Sequence, residues 1–406
     1  MDDADEREAF LKAIFDLRNN DLDNDAARAI VNSMMPEHRA FLNAILERPD
    51  DDLARLVYAD YLDETGDPER AEFIRVQIEI ANSSDGDPRF SALRRRQNEL
   101  QKRRVEWRLP IRGIQHFHRG FVESIAVTAD WLIHSPIEIL RAAPIRELRV
   151  INADNYVVDL ARVPGLDRIQ TLDLRNNSFG TQGRLARFLE LAPLRNMTGL
   201  LLLNNQLWRD DVEVLVSSER AAQLLSLDLS GNALGNAGVE ILARAERLTG
   251  LRALILRSDD LDYRDRIDGD GAEDLAMSPV LNRLANLEIG GHLLGDSGPA
   301  FFANAPGLPV LERIDLSFNQ IDFETDFDCD RFFQASPREA MRVWNLAGSR
   351  VGLRAAERFA VWEQLETLRE LNLEQCEWAP GARELLAESA WAYKIRMGNH
   401  ASGGFA

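Results

Sequence analysis

Cysteine is almost missing. Two thiols, Cys329 and Cys376, in 406 residues cannot staple a fold, so a disulfide scaffold is excluded and a reducing compartment is expected. No apolar run approaches the length of a bilayer span, so no membrane partner is expected. The opening residues, MDDADEREAF, hold neither a basic stretch nor an apolar core. A secretory leader is therefore not expected, and a cytoplasmic location is the default. Positive charge is short: 48 Lys and Arg stand against 67 Asp and Glu, a formal net charge of -19 that makes nucleic acid a poor partner. The chain also lacks G-x-x-x-x-G-K-[ST], H-E-x-x-H, G-x-S-x-G and paired C-x-x-C patterns. No catalytic residue, metal site or cofactor is expected, and an enzyme of unknown type ranks third among the functions considered.

What the chain does have is periodicity. The stretch Leu224–Ala243, LLSLDLSGNALGNAGVEILA, reads L-x-x-L-x-L-x-x-N-x-L followed by G-x-x-G and an apolar helix start. Leu224, Leu227 and Leu229 share one side of a short strand, Asn232 turns the chain, and Leu234 returns to the same core. Aligned on the Asn position, further copies fall at Asp154, Asn177, Asn205, Asp259, His292, Asn319, Ser349 and Cys376. From Asn177 onward the steps are 28, 27, 27, 33, 27, 30 and 27 residues. A degenerate copy at Val122–Asp130 would make ten units. One such unit cannot bury its own apolar face, so the copies must stack. The expected fold is α/β: a solenoid with a parallel sheet inside a horseshoe and helices outside. A buried Asn ladder should bond neighbouring turns, more weakly at His292, Ser349 and Cys376. This period resembles the ribonuclease-inhibitor class of leucine-rich repeats over roughly Ile145–Leu386.

Upstream, Glu37–Ile80 reads as a small helical bundle. Phe41, Leu42, Ile45 and Leu46 form one helical face, and Leu53, Leu56, Val57, Tyr61 and Leu62 the next. Ala71, Phe73, Ile74, Gln77 and Ile78 begin a third. Asp50–Asp52 supply a helix cap. The pattern F-L-x-A-I, P-D-D-D, R-L-V-Y-A-D-Y-L-D-E, G-D-P-E-R-A-E-F-I-R-x-Q resembles the bacterial repeat-companion domain. The resemblance continues through Trp107, HRGFVE (His118–Glu123) and RAAPIRELRV (Arg141–Val150). That family commonly precedes repeats and brings no established activity. The dense charges Asp60, Asp63, Glu64, Glu69, Arg70, Glu72 and Arg75 read as ion pairs and caps.

The sign then changes. Arg89, Arg94, Arg95, Arg96, Lys102, Arg103, Arg104, Arg108, Arg112 and Arg119 face only two acids, and neutralisation within the chain is the expected outcome. Phe121–Val127 alternates like a strand, and Trp131–Ala143 reads as a helix. His116 and His118 form an H-x-H pair with no third ligand nearby. Two acidic insertions, Asp259–Gly271 and Glu324–Asp330, read as surface loops. The D-x-D-G fragment lacks the spaced Glu of a calcium loop. Five segments follow: an acidic helical extension (1–35), the companion domain (36–119), a solenoid cap (120–144), the repeats (145–390) and a tail (391–406).

Side chains between the leucines should face the concave side. The central row reads Arg149, Asp173, Leu201, Asp228, Ile255, Glu288, Asp315, Asn345 and Asn372, with Arg175, Arg257, Arg313, Phe318 and Glu374 beside it. Four of the nine central positions are acidic. The expected function is a non-enzymatic scaffold that holds a protein partner on this face. The candidate contacts are Arg149, Asp173, Arg175, Asp228, Arg257, Glu288, Asp315, Phe318, Asn345 and Asn372, and an acidic strip favours a partner with a basic surface. Regulation of a small GTPase is the alternative, because the repeat class is similar to that of the Ran GTPase-activating protein.

Overall fold

The computed structural model describes residues 36–84, 87–103, 107, 109, 111, 113–134, 140, 143–258, 265–323 and 326–398. The expected extension over 1–35, the core of the first acidic insertion (259–264) and the tail from 399 lie outside the described residues. So do Arg104, Arg108 and Arg112 and the start of the second insertion. The chain divides into two compact units. One is built from residues up to Asp173 with Leu191–Asn196, the other from Leu174–Glu190 and the residues from Met197 on. The boundary falls inside the run of repeats.

The first unit begins with four helices: α1 (Pro36–Glu47), α2 (Asp52–Thr65), α3 (Pro68–Asn82) and α4 (Phe90–Arg103). Asp51 caps α2 by accepting the Leu53 N–H. Gly66 turns into α3 at φ 97°, and Asp67 caps it through the Arg70 N–H. The buried face of α2 differs from the expected one. Arg55, Tyr58, Ala59 and Leu62 point inward, while Leu53 and Val57 are 66% and 46% exposed. Apolar spacing misled because the inward stripe contains an arginine, whose burial requires a partner that sequence spacing does not reveal.

After the helices, strand β1 (Ile114–His118) pairs antiparallel with β2 (Phe121–Thr128). The β1 strand was not foreseen; the alternation over β2 was. β2 then pairs in parallel with β3 (Glu147–Ile151), which pairs with β4 (Thr171–Asp173). The register sets Ile125 beside Leu148 and Leu148 beside Leu172. This register moves one expected position: the counterpart of the turn Asn is Ala153, fully buried, not Asp154. The helix after β2 starts at Ala129 and is described to His134.

In the second unit the parallel ladder runs β5 (Gly199–Leu201), β6 (Ser226–Asp228), β7 (Ala253–Ile255), β8 (Asn286–Glu288), β9 (Arg313–Asp315), β10 (Val343–Asn345) and β12 (Glu370–Asn372). One further rung, β14 (Ile395–Arg396), extends it past residue 390. Between β10 and β12, β11 (Arg350–Val351) starts a separate pair with β13 (Glu377–Trp378). Each rung buries its central leucine-type side chain: Leu200, Leu227, Leu254, Leu287, Ile314, Trp344 and Leu371 are all 1% exposed or less. Each such burial contributes about 1.5–3 kcal/mol. Helices follow the strands; Gly235–Ala243, for example, buries Gly238, Val239, Leu242 and Ala243. The architecture is an α/β solenoid of the leucine-rich-repeat kind.

The Asn ladder forms through side-chain amides. Asn232 Nδ2 donates to the Leu202, Leu229 and Ser230 carbonyls, and its Oδ1 accepts from the Asn205 and Leu207 N–H groups. Asn319 repeats this with Ile289 O, Leu316 O and the His292 N–H. The residue before the turn position is left-handed: Asn176, Asn204, Gly231, Gly291, Phe318, Gly348 and Gln375 all have φ between 54° and 81°.

His292 holds the ladder better than expected. Its Nε2–H donates to Leu256 O, and its Nδ1 accepts the Ile267 N–H at 3.1 Å. Ile267 is where the chain returns from the first insertion, and the longer imidazole reaches it. Ser349 keeps one bond, from Oγ to Leu346 O at 2.7 Å, and Cys376 Sγ lies 3.5 Å from the same oxygen. The ladder is thinner at these two, as expected.

Candidate functional site

The register places the central row as expected. Within the first unit Arg149 lies beside Asp173. Within the second, Leu201, Asp228, Ile255, Glu288, Asp315, Asn345, Asn372 and Arg396 follow strand by strand. All alternate with core side chains, so all lie on the strand face away from the core; Asp173, expected as an exposed contact, is itself buried beside Arg149.

Most of the polar members are engaged by their own fold. Asp228 Oδ1 accepts the Ser230 N–H, Asp315 Oδ1 the Ser317 N–H, Asn345 Oδ1 the Ala347 N–H and Asn372 Oδ1 the Glu374 N–H. Each caps the backbone two residues on, as Asx side chains commonly do. A repeat-wide preference for Asp or Asn here therefore has a structural cause. Charge alone does not explain the row.

The structure gathers four candidates into one cluster. Arg257 Nη1 lies 2.6 Å from Asp315 Oδ2 and 3.7 Å from Glu288 Oε2. Asn345 Nδ2 and Ser317 Oγ donate to Asp315 Oδ1 at 2.9 and 2.6 Å. The expected acidic strip is thus met by an arginine from within the face. In the first unit Arg149 Nε lies 3.8 Å from Asp173 Oδ2. Arg175 is half-buried just past Leu174.

Phe318 stands apart. It is 49% exposed, yet its backbone sits at φ 58°. A bulky residue in the left-handed region is a true outlier, and the steric cost is about 1–2 kcal/mol. Its ring lies over Gly348, where an added Cβ would meet Phe318 ring atoms at 2.4 and 2.6 Å. Asn and Gly, which carry no such cost, fill most equivalent positions.

The first unit holds a different constellation, which sequence reasoning missed. Arg55, fully buried, donates to Glu123 Oε1 at 2.6 Å, to Pro49 O at 2.7 Å and to Arg119 O at 3.2 Å. Glu123 Oε2 takes Arg146 Nη2 at 2.5 Å and faces His118 Nδ1 at 3.3 Å. Arg146 continues to Asp50 at 2.6 Å, and Arg119 lies 3.3 Å from Asp52. Burial pushes the Glu123 carboxyl up, but His118, Arg55 and Arg146 outweigh it and hold the group below its ordinary range. Hydrogen bonding from Arg146 likewise lowers Asp50.

The Phe121 ring lies against two guanidiniums, with Arg55 at 5.2 Å and Arg70 at 5.3 Å. Gly120, at φ 89°, packs so close to Ile74 that a Cβ would fall 2.6 Å from its Cγ1. The one available signal was the set of strings P-D-D-D, R-L-V-Y, HRGFVE and RAAPIREL, from which Asp50, Asp52, Arg55, His118, Arg119, Glu123 and Arg146 meet here. The cluster holds no activated nucleophile; its chemistry is that of a buried lock. On α4, Arg96 pairs with Glu72 at 2.6 Å and Glu99 at 3.2 Å. Arg89 pairs with Asp87 at 3.1 Å, so this basic stretch is partly neutralised within the chain. Among the described residues no group of three or more His, Cys, Asp or Glu side chains is placed to hold a metal ion. None of the described helices is long and apolar enough to cross a membrane.

A family model described as Leucine Rich repeat matches residues 223–243, the unit that carries Leu224, Leu227, Leu229 and Asn232. Among solved structures, the chain is similar to an internalin from Listeria monocytogenes. The identity is 18% over 66% of this chain and 70% of that one, with a TM-score of 0.37. It is also similar to the Rad7 and Elc1 complex in yeast, at 11% identity over 80% of this chain and 92% of that one, with a TM-score of 0.34. No match is found among curated proteins. The repeat match concerns fold, and this fold hosts many functions.

Proposed function

We propose that this chain is a protein-interaction scaffold and that the exposed strand face of its second unit holds a protein partner. The observation that carries the reading is Phe318: an exposed aromatic kept in a costly backbone conformation at the end of the ladder's central strands. Strain of this kind concentrates at binding positions, where it is retained for something other than stability. Half-buried Leu201 and Ile255 add apolar area on the same face, and exposed aromatics anchor interfaces most effectively. The repeat-companion resemblance, a bacterial source and a cytoplasmic setting belong to the same reading. The converging charges around Glu123 support the first of these. Because Arg257 meets Glu288 and Asp315, a uniformly basic partner is no longer the preferred one.

The test is capture from a native lysate with the immobilised full chain. The wild type retains a stoichiometric protein, and Met277→Asp, placed at a 59% exposed helix end, retains it too. Ile255→Asp with Phe318→Asp loses it; retention by that variant rejects the strand face. A gentler variant, Phe318→Asn, is expected to raise stability by about 1 kcal/mol while weakening capture, because the left-handed strain and the anchor are removed together.

A further inference from the structure

Charge on the strand face is not random once internal pairs are removed. From β5 to β14, Glu370 and Glu374 are met by Arg396, and Glu288 and Asp315 by Arg257. Among the described residues, two charged side chains of opposite sign on this face have no opposite charge beside them: Asp228 on β6 and Arg313 on β9. Asp228 Oδ1 accepts the Ser230 N–H, and Arg313 is exposed. They are three strands apart and, in register, two residues apart along the strand, so about 16 Å separates them on the sheet. The path between them is partly apolar, running over half-buried Ala253, Ile255 and Asn286.

We propose that this face takes an extended protein segment carrying a basic and an acidic side chain about five residues apart, with an apolar one between them. The base meets Asp228, the apolar side chain rests on Ile255, and the acid meets Arg313. The inference rests on the strand-face reading and adds the chemistry of what is bound. An extended segment fits because one residue advances about 3.3 Å, so roughly five residues cover the distance between the two charges. The chain's net acidity does not forbid the acid at Arg313, since charges beyond about 8 Å are screened at physiological salt.

The probe is a displayed library of random twelve-residue peptides selected on the immobilised full chain. The expected consensus pairs Lys or Arg with Asp or Glu four to six positions apart. Selected peptides are then measured in double-mutant cycles against Asp228→Asn and Arg313→Gln. Asn at 228 keeps the acceptor for the Ser230 N–H, as Asn345 does for Ala347, so the fold is preserved. Each neutralisation weakens binding about tenfold, and each couples to one peptide charge only: Asp228→Asn to the base, Arg313→Gln to the acid.

A consensus without the paired charges, an absence of coupling, or a selection that yields no binder overturns the proposal. If binding depends on Ile255 and Phe318 but not on the two charges, the segment chemistry fails and the strand face stands. If no strand-face substitution matters to peptides that do bind, both fail.

Discussion

The two units bury polarity in opposite ways. In the second, the groups taken out of water are neutral amides, such as Asn205, Asn232 and Asn319, each bonded to backbone groups of its own and the neighbouring turn. In the first, they are ions: Arg55 and Glu123, 0% and 4% exposed, with Arg146 and His118 at the rim. An amide ladder is modular, because every rung repeats the same few bonds and a missing rung is a local loss. An ion lock is all-or-none, since removing one partner strands the other charge in a medium that cannot solvate it. The same chain thus joins a unit that tolerates drift in its repeats to one specified by a few residues spread from Pro49 to Arg146.

Glu123→Ala is the sharpest way to break that contrast. It strands Arg55, and the expected loss is about 3–5 kcal/mol in chemical denaturation, with amide exchange rising first over β2. A loss under 1 kcal/mol would mean that the ions contribute little. Asn232→Ala comes next. It abandons three carbonyls and two N–H groups, so about 2–4 kcal/mol is expected, with exchange confined to the turns beside β5 and β6. Spread of that exchange over the whole second unit would contradict the modular picture.

The smallest effect depends on pH and blurs the contrast, because His292 puts a titratable group into the amide ladder. Burial lowers its pKa from 6.5 to about 4. Above 6.5 the ring is neutral in both folded and unfolded chain, and the full stability is present. Between 6.5 and 4 the unfolded chain takes the proton first, so stability falls by up to about 3 kcal/mol. The cause is physical: a protonated Nδ1 would set an N–H against the Ile267 N–H. His292→Asn should flatten that part of the profile when unfolding is followed from pH 7 to pH 4. An unchanged slope would place the acid sensitivity elsewhere.

Much of the second unit was legible before any coordinates. The spacing of Leu227, Leu229 and Asn232 sets a register, and six parallel pairings in that unit follow it; the seventh, to β14, falls in the segment expected to be a tail. The exception in the first unit, Ala153 for Asp154, arose where no Asn marked the turn. The face of α2 was misread for a related reason: Arg55 looks like a surface residue until Glu123, 68 positions away, is brought to it. The acidic row was legible as residues but not as chemistry. Its Asp and Asn side chains serve their own backbone, which spacing alone cannot reveal. Phe318 was visible as an aromatic beside the row; that a bulky ring there sits on a left-handed backbone was not.

By itself the sequence determined which side chains are buried along the repeats and which face water, because a strand alternates strictly and a slip by one residue would expose every leucine. The tertiary structure alone decided which charges are left over. Pairing depends on distances between strands 24 to 33 residues apart in sequence, and Arg257 reaching over β8 to Asp315 turns an acidic strip into one that, among the described residues, leaves a single anion and a single cation unmatched from β5 to β14.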